Sequence, residues 1–234
     1  MKVLLSKKSK YIIENEKEIH TKDGIIKIED NKAFSHLGIE FSVVEPNLLD
    51  IMKKLKRGPQ VILPKDAAMI LAFTGIKQGA KILEAGTGNA FLTIFLCWYL
   101  KPCKIYTYEN DERFYKIAKE NIEKVGLQEF IELKFENFEN FEGKDYDLAV
   151  LDLKNSEKYI EKVYKALKKG AWLVVYTPNV IGLEKNVEEI KKYNFTEIRI
   201  VENIVREWET EKGLRPKTKG LMHTGFLIFA RKIS

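Results

Sequence analysis

Residues Lys81-Ile82-Leu83-Glu84-Ala85-Gly86-Thr87-Gly88-Asn89-Ala90 decide the fold. A short apolar run ends in a turn with two glycines, and an apolar segment, Phe91 to Leu100, follows at once. That order is strand, glycine turn, helix. Gly86 and Gly88 can take positive φ and let a backbone come close to a ligand, while the free N–H groups of the next helix favour a negatively polarised group. A dinucleotide fingerprint needs a third glycine where Phe91 stands, which argues against pyrophosphate binding.

Working outward, strand and helix periods alternate. A strand at Lys104–Tyr108 is followed by a helix over Asp111 to Val125, strands at Ile131–Phe135 and Tyr146–Leu153, a helix over Ser156–Leu167 and a strand at Ala171–Tyr176. Such βαβ succession predicts a mostly parallel sheet with helices on both faces. A further helix over Leu183 to Lys192 precedes two long strands, Phe195–Val205 and Thr224–Ala230, with only the polar stretch Glu207–Leu221 between them. These two pair antiparallel at one sheet edge, making seven strands in all.

The start of the chain reads differently. Short strand-like runs at Val3–Leu5, Tyr11–Ile13 and Ile25–Ile28, broken at Lys22-Asp23-Gly24 and Gly38, predict a small β domain over residues 1–45. Residues 46–66 read as a helical linker and the segment that leads to the first motif, the helix lying over Asn47 to Lys56 and ending at Arg57-Gly58-Pro59, and residues 67–234 as the α/β domain. With 45% hydrophobic residues the chain can build both cores without disulfides. Two cysteines, Cys97 and Cys103, fit no disulfide or metal framework, the start of the chain lacks the apolar core of a secretory signal, and no apolar run reaches the length of a membrane span. A cytoplasmic protein with no membrane attachment is expected.

The net charge of +6 is unevenly placed: residues 1–60 carry +3, 61–150 carry −3 and 151–234 carry +6. A polyanion would therefore be met by the two ends of the sequence, unless the lysines are solvated surface decoration.

Carboxylates mark the middle. Glu84 and Glu109 end neighbouring strands, where an open α/β sheet lines its ligand crevice. Glu109 stands where a ribose diol would be bound, or it caps the helix that begins after Asn110 and Asp111. Glu84 can bind an ammonium group or hold the turn. Asn137, beside Phe138 after the third strand, is placed to read an adenine edge or to make an Asx turn, and Tyr108 and Phe138 either flank the ring or belong to the core. Asp152, after the apolar strand Leu148 to Leu151, is a carboxylate able to accept a proton or hydrogen bond from a substrate amine, or to cap the next helix. Arg206, Trp208 and Arg215 suit phosphates and a stacked base. The three histidines, His20, His36 and His223, are too scattered for a zinc site, so no metal is expected, and neither a nucleophile elbow nor a Walker lysine is present.

Four ordered stretches, Gly58-Pro59-Gln60-Val61-Ile62-Leu63-Pro64-Lys65-Asp66, Ile82 to Gly88, Leu151-Asp152-Leu153, and Arg206-Glu207-Trp208 through Arg215-Pro216 to His223-Thr224-Gly225-Phe226, resemble the tRNA adenine-N1 methyltransferases over nearly the whole chain. These are S-adenosylmethionine-dependent enzymes that methylate position 58 of the tRNA T-loop, and in archaeal members also position 57. The resemblance implies a Rossmann-like methyltransferase fold with a small N-terminal β domain. It implies that Glu84, Gly86, Thr87, Gly88, Asn89, Ala90, Glu109, Asn110, Asn137 and Phe138 surround S-adenosylmethionine, with Asp152 bordering the cofactor. Asp152 is then the catalytic aspartate, and Gln60, Arg206, Trp208, Arg215, His223 and Thr224 meet tRNA. A homotetramer built from two dimers is the implied assembly. The chain departs from the family pattern at Leu63, at Asn89-Ala90 in place of Ser-Gly, at Asn137 in place of aspartate, and at Lys154-Asn155. At Ala90 a side chain costs little if the backbone is helical.

Overall fold

Alternating buried and exposed positions build six strands in the first of two units, Met1–Leu55. They are β1 (Lys2–Leu5), β2 (Lys10–Ile13), β3 (Glu18–Thr21), β4 (Gly24–Ile28), β5 (Lys32–Ser35) and β6 (Glu40–Val44). The computed structural model describes residues 1–29, 31–58, 61–211 and 213–234. The six strands form one antiparallel sheet in the order β2-β1-β6-β5-β4-β3, with Leu4, Ile13, Ile26, Ala33 and Phe41 as its core. Three of these strands escape the sequence reading because their buried positions are small or isolated: β5 buries only Ala33 and Ser35, and β6 only Phe41. Helix α1 (Leu48–Met52) starts at a capping box in which Asn47 and Asp50 satisfy each other's backbone N–H.

The second unit, Lys56–Ser234, begins inside the stretch expected to be a linker. The expected 46–66 segment is thus divided, its helix α1 going with the first unit and the start of α2 (Pro64–Thr74) with the second. Pro64 opens α2, where its missing N–H costs nothing, and a left-handed Gly75 closes it. The βα succession then runs β7 (Lys81–Ala85), α3 (Phe91–Leu100), β8 (Lys104–Glu109), α4 (Glu112–Val125), β9 (Ile131–Phe135), β10 (Tyr146–Leu151), α5 (Ile160–Ala166) and β11 (Leu167–Thr177). Helix α6 (Val180–Ile190) starts about one turn earlier than expected, because the Asn179 side chain accepts from the Gly182 N–H. Strand β12 (Phe195–Glu202), a two-residue hairpin pair β13 (Trp208–Glu209) and β14 (Arg215–Pro216), and β15 (Phe226–Lys232) complete the chain.

The seven-stranded sheet has the order β12-β15-β11-β10-β7-β8-β9. Its five neighbouring strands β11 to β9 are parallel, and β15 lies antiparallel to both β11 and β12, so the expected antiparallel pair forms at the edge. Leu83, Ala85, Ala149, Leu151, Leu173, Val175 and Ile228 fill one side of this sheet. Helix α3 is buried from Phe91 to Cys97, which is why its sequence shows no polar face. Successive strands move outward from β7 through β8 to β9, and the chain then returns to β10 on the other side of β7. The carboxyl ends of β7 and β10 therefore flank the switch point, where this architecture binds ligands.

Candidate active site

Backbone geometry at the switch point accounts for Gly86. Its φ is +84°, and a Cβ there would stand 1.9 Å from the Asp152 carbonyl oxygen, so no other residue fits. The turn is pinned from both sides: the Gly86 and Thr87 N–H groups donate to the Tyr108 carbonyl at 3.2 Å, and the Asp152 N–H donates to the Ala85 carbonyl at 2.9 Å. Gly88, at φ +55°, faces open space instead. Ala90 corrects the sequence reading: it is the N-cap of α3 with φ +64° and ψ +23°, a left-handed rather than helical backbone, and its side chain is fully buried. An L-residue pays about 1–2 kcal/mol for that conformation.

Glu109 ties this turn to the next strand. Its Oε2 accepts from the Gly88 N–H at 2.8 Å, and its Oε1 accepts from the Asn110 and Asp111 N–H groups at 2.9 Å each. The carboxylate thus caps the entry to α4 and braces the glycine turn, with lone pairs left for a ligand. Thr87 and Thr107 share a 2.6 Å hydroxyl contact beneath it. Asn89 is buried; its carbonyl accepts from Asn121 Nδ2 at 2.9 Å, while its own Nδ2 has no partner among the described residues.

Glu84 is buried at 1% exposure and accepts the Thr93 hydroxyl at 2.6 Å. Thr93, the one polar residue in an apolar helix, is the sequence signal for this contact. Burial pushes the Glu84 carboxyl up to about 7; the Thr93 and Thr107 hydroxyls oppose the shift, and the charges of Asp152 and Glu109 add to it. Asp152 opens onto the crevice yet is set deep enough that burial pushes its carboxyl up to about 7 as well. Among the described residues nothing donates to that carboxylate. It lies on the wall of a cavity of about 450 Å³ shared with Tyr176, Pro178, Asn179, Gly182 and Asn186.

Asn137 makes the Asx contact, its Oδ1 accepting from the Glu139 N–H at 3.1 Å, with the side chain otherwise exposed. Tyr108 and Phe138 are core, joined edge to face at 5.6 Å in an aromatic cluster with Phe141. Thr224 and His223 sit just before β15. The His223 ring faces acceptors on both sides, Nδ1 toward Glu202 at 2.6 Å and Nε2 toward the Pro178 carbonyl at 2.9 Å, and these two partners hold it protonated above its ordinary pKa. Trp208 is 57% exposed, Arg206 is exposed, and Arg215 is paired with Glu209 across the β13–β14 hairpin at 2.9 Å. Lys217 is likewise paired with Glu207, so the cationic loop is partly neutralised from within. Gln60 lies outside the described residues. The sequence reading gave no role to Tyr176, whose phenol burial pushes up to about 12, nor to Lys65 and Asp66 of the Gly58–Asp66 stretch, which reach Thr224 from α2.

Glu84, Glu109 and Asp152 make a crevice of acids at the strand ends, with an orphaned buried amide at Asn89 and an open glycine at Gly88. Those features suit S-adenosylmethionine, whose sulfonium and ammonium charges are positive and whose ribose needs acceptors. Sheet order, glycine turn and acid crevice together define a Rossmann-like S-adenosylmethionine-dependent methyltransferase. Comparison with known proteins narrows the class. The family described as "tRNA methyltransferase complex GCD14 subunit" matches residues 44–214, and the chain belongs to that family. It is 35% identical to the tRNA (adenine(57)-N(1)/adenine(58)-N(1))-methyltransferase TrmI of Methanocaldococcus jannaschii, over 98% of this chain and 94% of that protein. The tRNA (adenine(58)-N(1))-methyltransferase TrmI of Thermus thermophilus is 31% identical over 85% of this chain and 79% of its own length. Among solved structures, TrmI from Aquifex aeolicus superimposes with a TM-score of 0.86 at 26% identity, covering 100% of this chain and 96% of that one. No helix among the described residues is long and apolar enough to cross a membrane.

Proposed function

We propose that the protein transfers a methyl group from S-adenosylmethionine to N1 of adenine in the tRNA T-loop, at position 58 and, as in the Methanocaldococcus relative, at position 57. The observation that carries this reading is Asp152: a carboxylate without a donor, on the wall of the 450 Å³ cavity, whose backbone is in contact with the glycine turn. When bound, S-adenosylmethionine supplies a methyl group activated by its own sulfonium leaving group, so the protein's task is alignment. Glu109, Gly88, Asn89 and Asn110 hold the nucleoside and amino-acid parts, the exposed Asn137 borders the base with Phe138 packed in the core behind it, and Glu84 together with Thr93 supports the turn. Asp152 accepts a hydrogen bond from the exocyclic amine of the target adenine, which raises electron density at N1, and a pKa about 7 lets it take up that proton at ordinary pH.

Arg206, Trp208, Arg215, His223 and Gln60 meet the RNA. We assign a homotetramer of two dimers; exposed apolar side chains at Ile204, Val205, Leu214, Leu221 and Met222 support a surface covered by another chain, without fixing the number of subunits. We assign a cytoplasmic setting, where the two buried cysteines, Cys97 and Cys103, would stay as thiols, the Cys103 thiol donating to the Cys97 sulfur at 3.8 Å. A transcript of unmodified tRNA incubated with labelled S-adenosylmethionine takes up label, and the same transcript with guanine at positions 57 and 58 does not. Equal labelling of both transcripts, or labelling of protein or small molecules alone, refutes the assignment.

A further inference from the structure

The methyl transfer proposed above makes no use of a buried polar cluster at the start of α2. Asp66 is 1% exposed, and both of its oxygens are occupied: Oδ1 accepts from Lys65 Nζ at 2.7 Å and Oδ2 from the Thr224 hydroxyl at 2.8 Å. The Lys65 ammonium is also fully used, donating to Asp66, to the Thr224 hydroxyl at 2.8 Å and to the Asn203 carbonyl at 2.6 Å. Asn203 returns a bond from its amide to the Lys65 carbonyl at 2.8 Å. A closed triangle of ammonium, carboxylate and hydroxyl therefore clamps the backbone at Thr224. That backbone has one conspicuous load, since the Thr224 carbonyl accepts the Tyr176 hydroxyl at 2.5 Å. Gly225 leaves room for the ring: a Cβ there would lie 2.5 Å from Tyr176 Cζ.

We infer that Lys65, Asp66 and Thr224 form a positioning array that holds the Tyr176 hydroxyl, as a hydrogen-bond acceptor only, at the wall of the Asp152 cavity. The inference rests on reading that cavity as the place of the target base. Because the phenol proton is committed to the Thr224 carbonyl, the oxygen has only lone pairs to offer the cavity. With Asp152 beside it, the wall carries two acceptors, which suits an exocyclic amine and repels a carbonyl oxygen at the same place. Burial and the nearby Asp66 and Asp152 charges, which keep the phenol un-ionised, agree with this.

The array is tested in full-length protein carrying tyrosine labelled with ¹³C at Cζ, the Tyr176 signal being assigned by its loss in Tyr176→Phe. Thr224→Val keeps the shape of the side chain but removes its hydroxyl, so the Tyr176 signal moves; Thr224→Ser returns it to the wild-type position. In steady-state kinetics Thr224→Val lowers kcat/KM for tRNA by about tenfold, but by less than about twofold in a Tyr176→Phe background, as coupled residues require. If Thr224→Val does not fold, Lys65→Met carries both measurements with the same expectations. An unmoved Tyr176 signal overturns the array, as do losses that multiply independently of Tyr176. A wild-type protein inactive on tRNA sinks the functional reading instead, and the spectroscopic measurement then decides the array by itself.

Discussion

Asp152 and Ala90 show what one residue can disclose. Asp152 stands out in the sequence because a carboxylate ends an apolar strand, and the structure sets it after β10 on the wall of the cavity. Its role predicts a specific separation: Asp152→Ala lowers kcat by at least about 100-fold, the scale of a lost acid–base group. The affinity for S-adenosylhomocysteine, measured by calorimetry, stays within about threefold if Asp152 mainly serves the target base. Ala90 was misread, since no local sequence rule separates a left-handed N-cap from the first residue of a helix. Its φ of +64° makes Ala90→Gly a stabilising or neutral change, between about 0 and +1 kcal/mol in urea unfolding, after the entropy of the added glycine is subtracted. A loss of more than about 1 kcal/mol contradicts the left-handed assignment. The contacts of Lys65 and Asp66 could not be found by reading along the chain. Their partner Thr224 is 159 and 158 residues away from Lys65 and Asp66, and only the fold brings them together.

At the level of elements, periodicity served well wherever a strand was buried on both faces or a helix was apolar. The bounds of α3 and β9 agree with the sequence reading, and those of β7, β8 and α4 differ by a residue or so. It missed three of the six N-terminal strands, β3, β5 and β6, where exposed faces and small buried residues weaken the pattern, and it gave no helix for α2, which opens at Pro64. The turn after β7 is a joint structure of three elements, because Glu109 at the end of β8 binds the Gly88 N–H and the first N–H groups before α4. Glu109→Ala consequently loosens the turn as well as removing an acceptor for the ribose. Calorimetry should find S-adenosylhomocysteine binding weakened at least about tenfold, and Glu109→Gln should recover only part of it, since an amide has one acceptor oxygen in place of two. Wild-type affinity in Glu109→Ala refutes its place in the crevice.

For the whole molecule, the acid crevice makes stability depend on pH in a defined direction. Asp152 and Glu84 release their protons near 7 in the folded protein but near 4 when unfolded, so between these values the folded state holds more protons. Stability of the ligand-free protein therefore falls as pH rises from about 4 to about 7, with the loss complete above 7. Asp152→Asn removes part of that loss: its Tm matches wild type near pH 4 and exceeds it by several degrees at pH 8. A constant Tm difference across the range would show that Asp152 titrates normally.

Charge along the sequence also changes meaning at this scale. The negative middle holds Glu84 and Glu109, two of the acids of the crevice proposed for a cationic cofactor. The positive C-terminal part is less available than its count implies, because Arg215 and Lys217 are held by Glu209 and Glu207. The reaction proposed for this crevice is methylation of adenine N1 in tRNA. Its most direct test is mass-spectrometric mapping of an unmodified tRNA after incubation with S-adenosylmethionine and wild-type protein or Asp152→Ala. Wild type is expected to leave N1-methyladenosine at position 58, with a yield at least about 100-fold lower for the variant. A tRNA left unmethylated by protein that binds S-adenosylmethionine, or methylated equally by both, would contradict it.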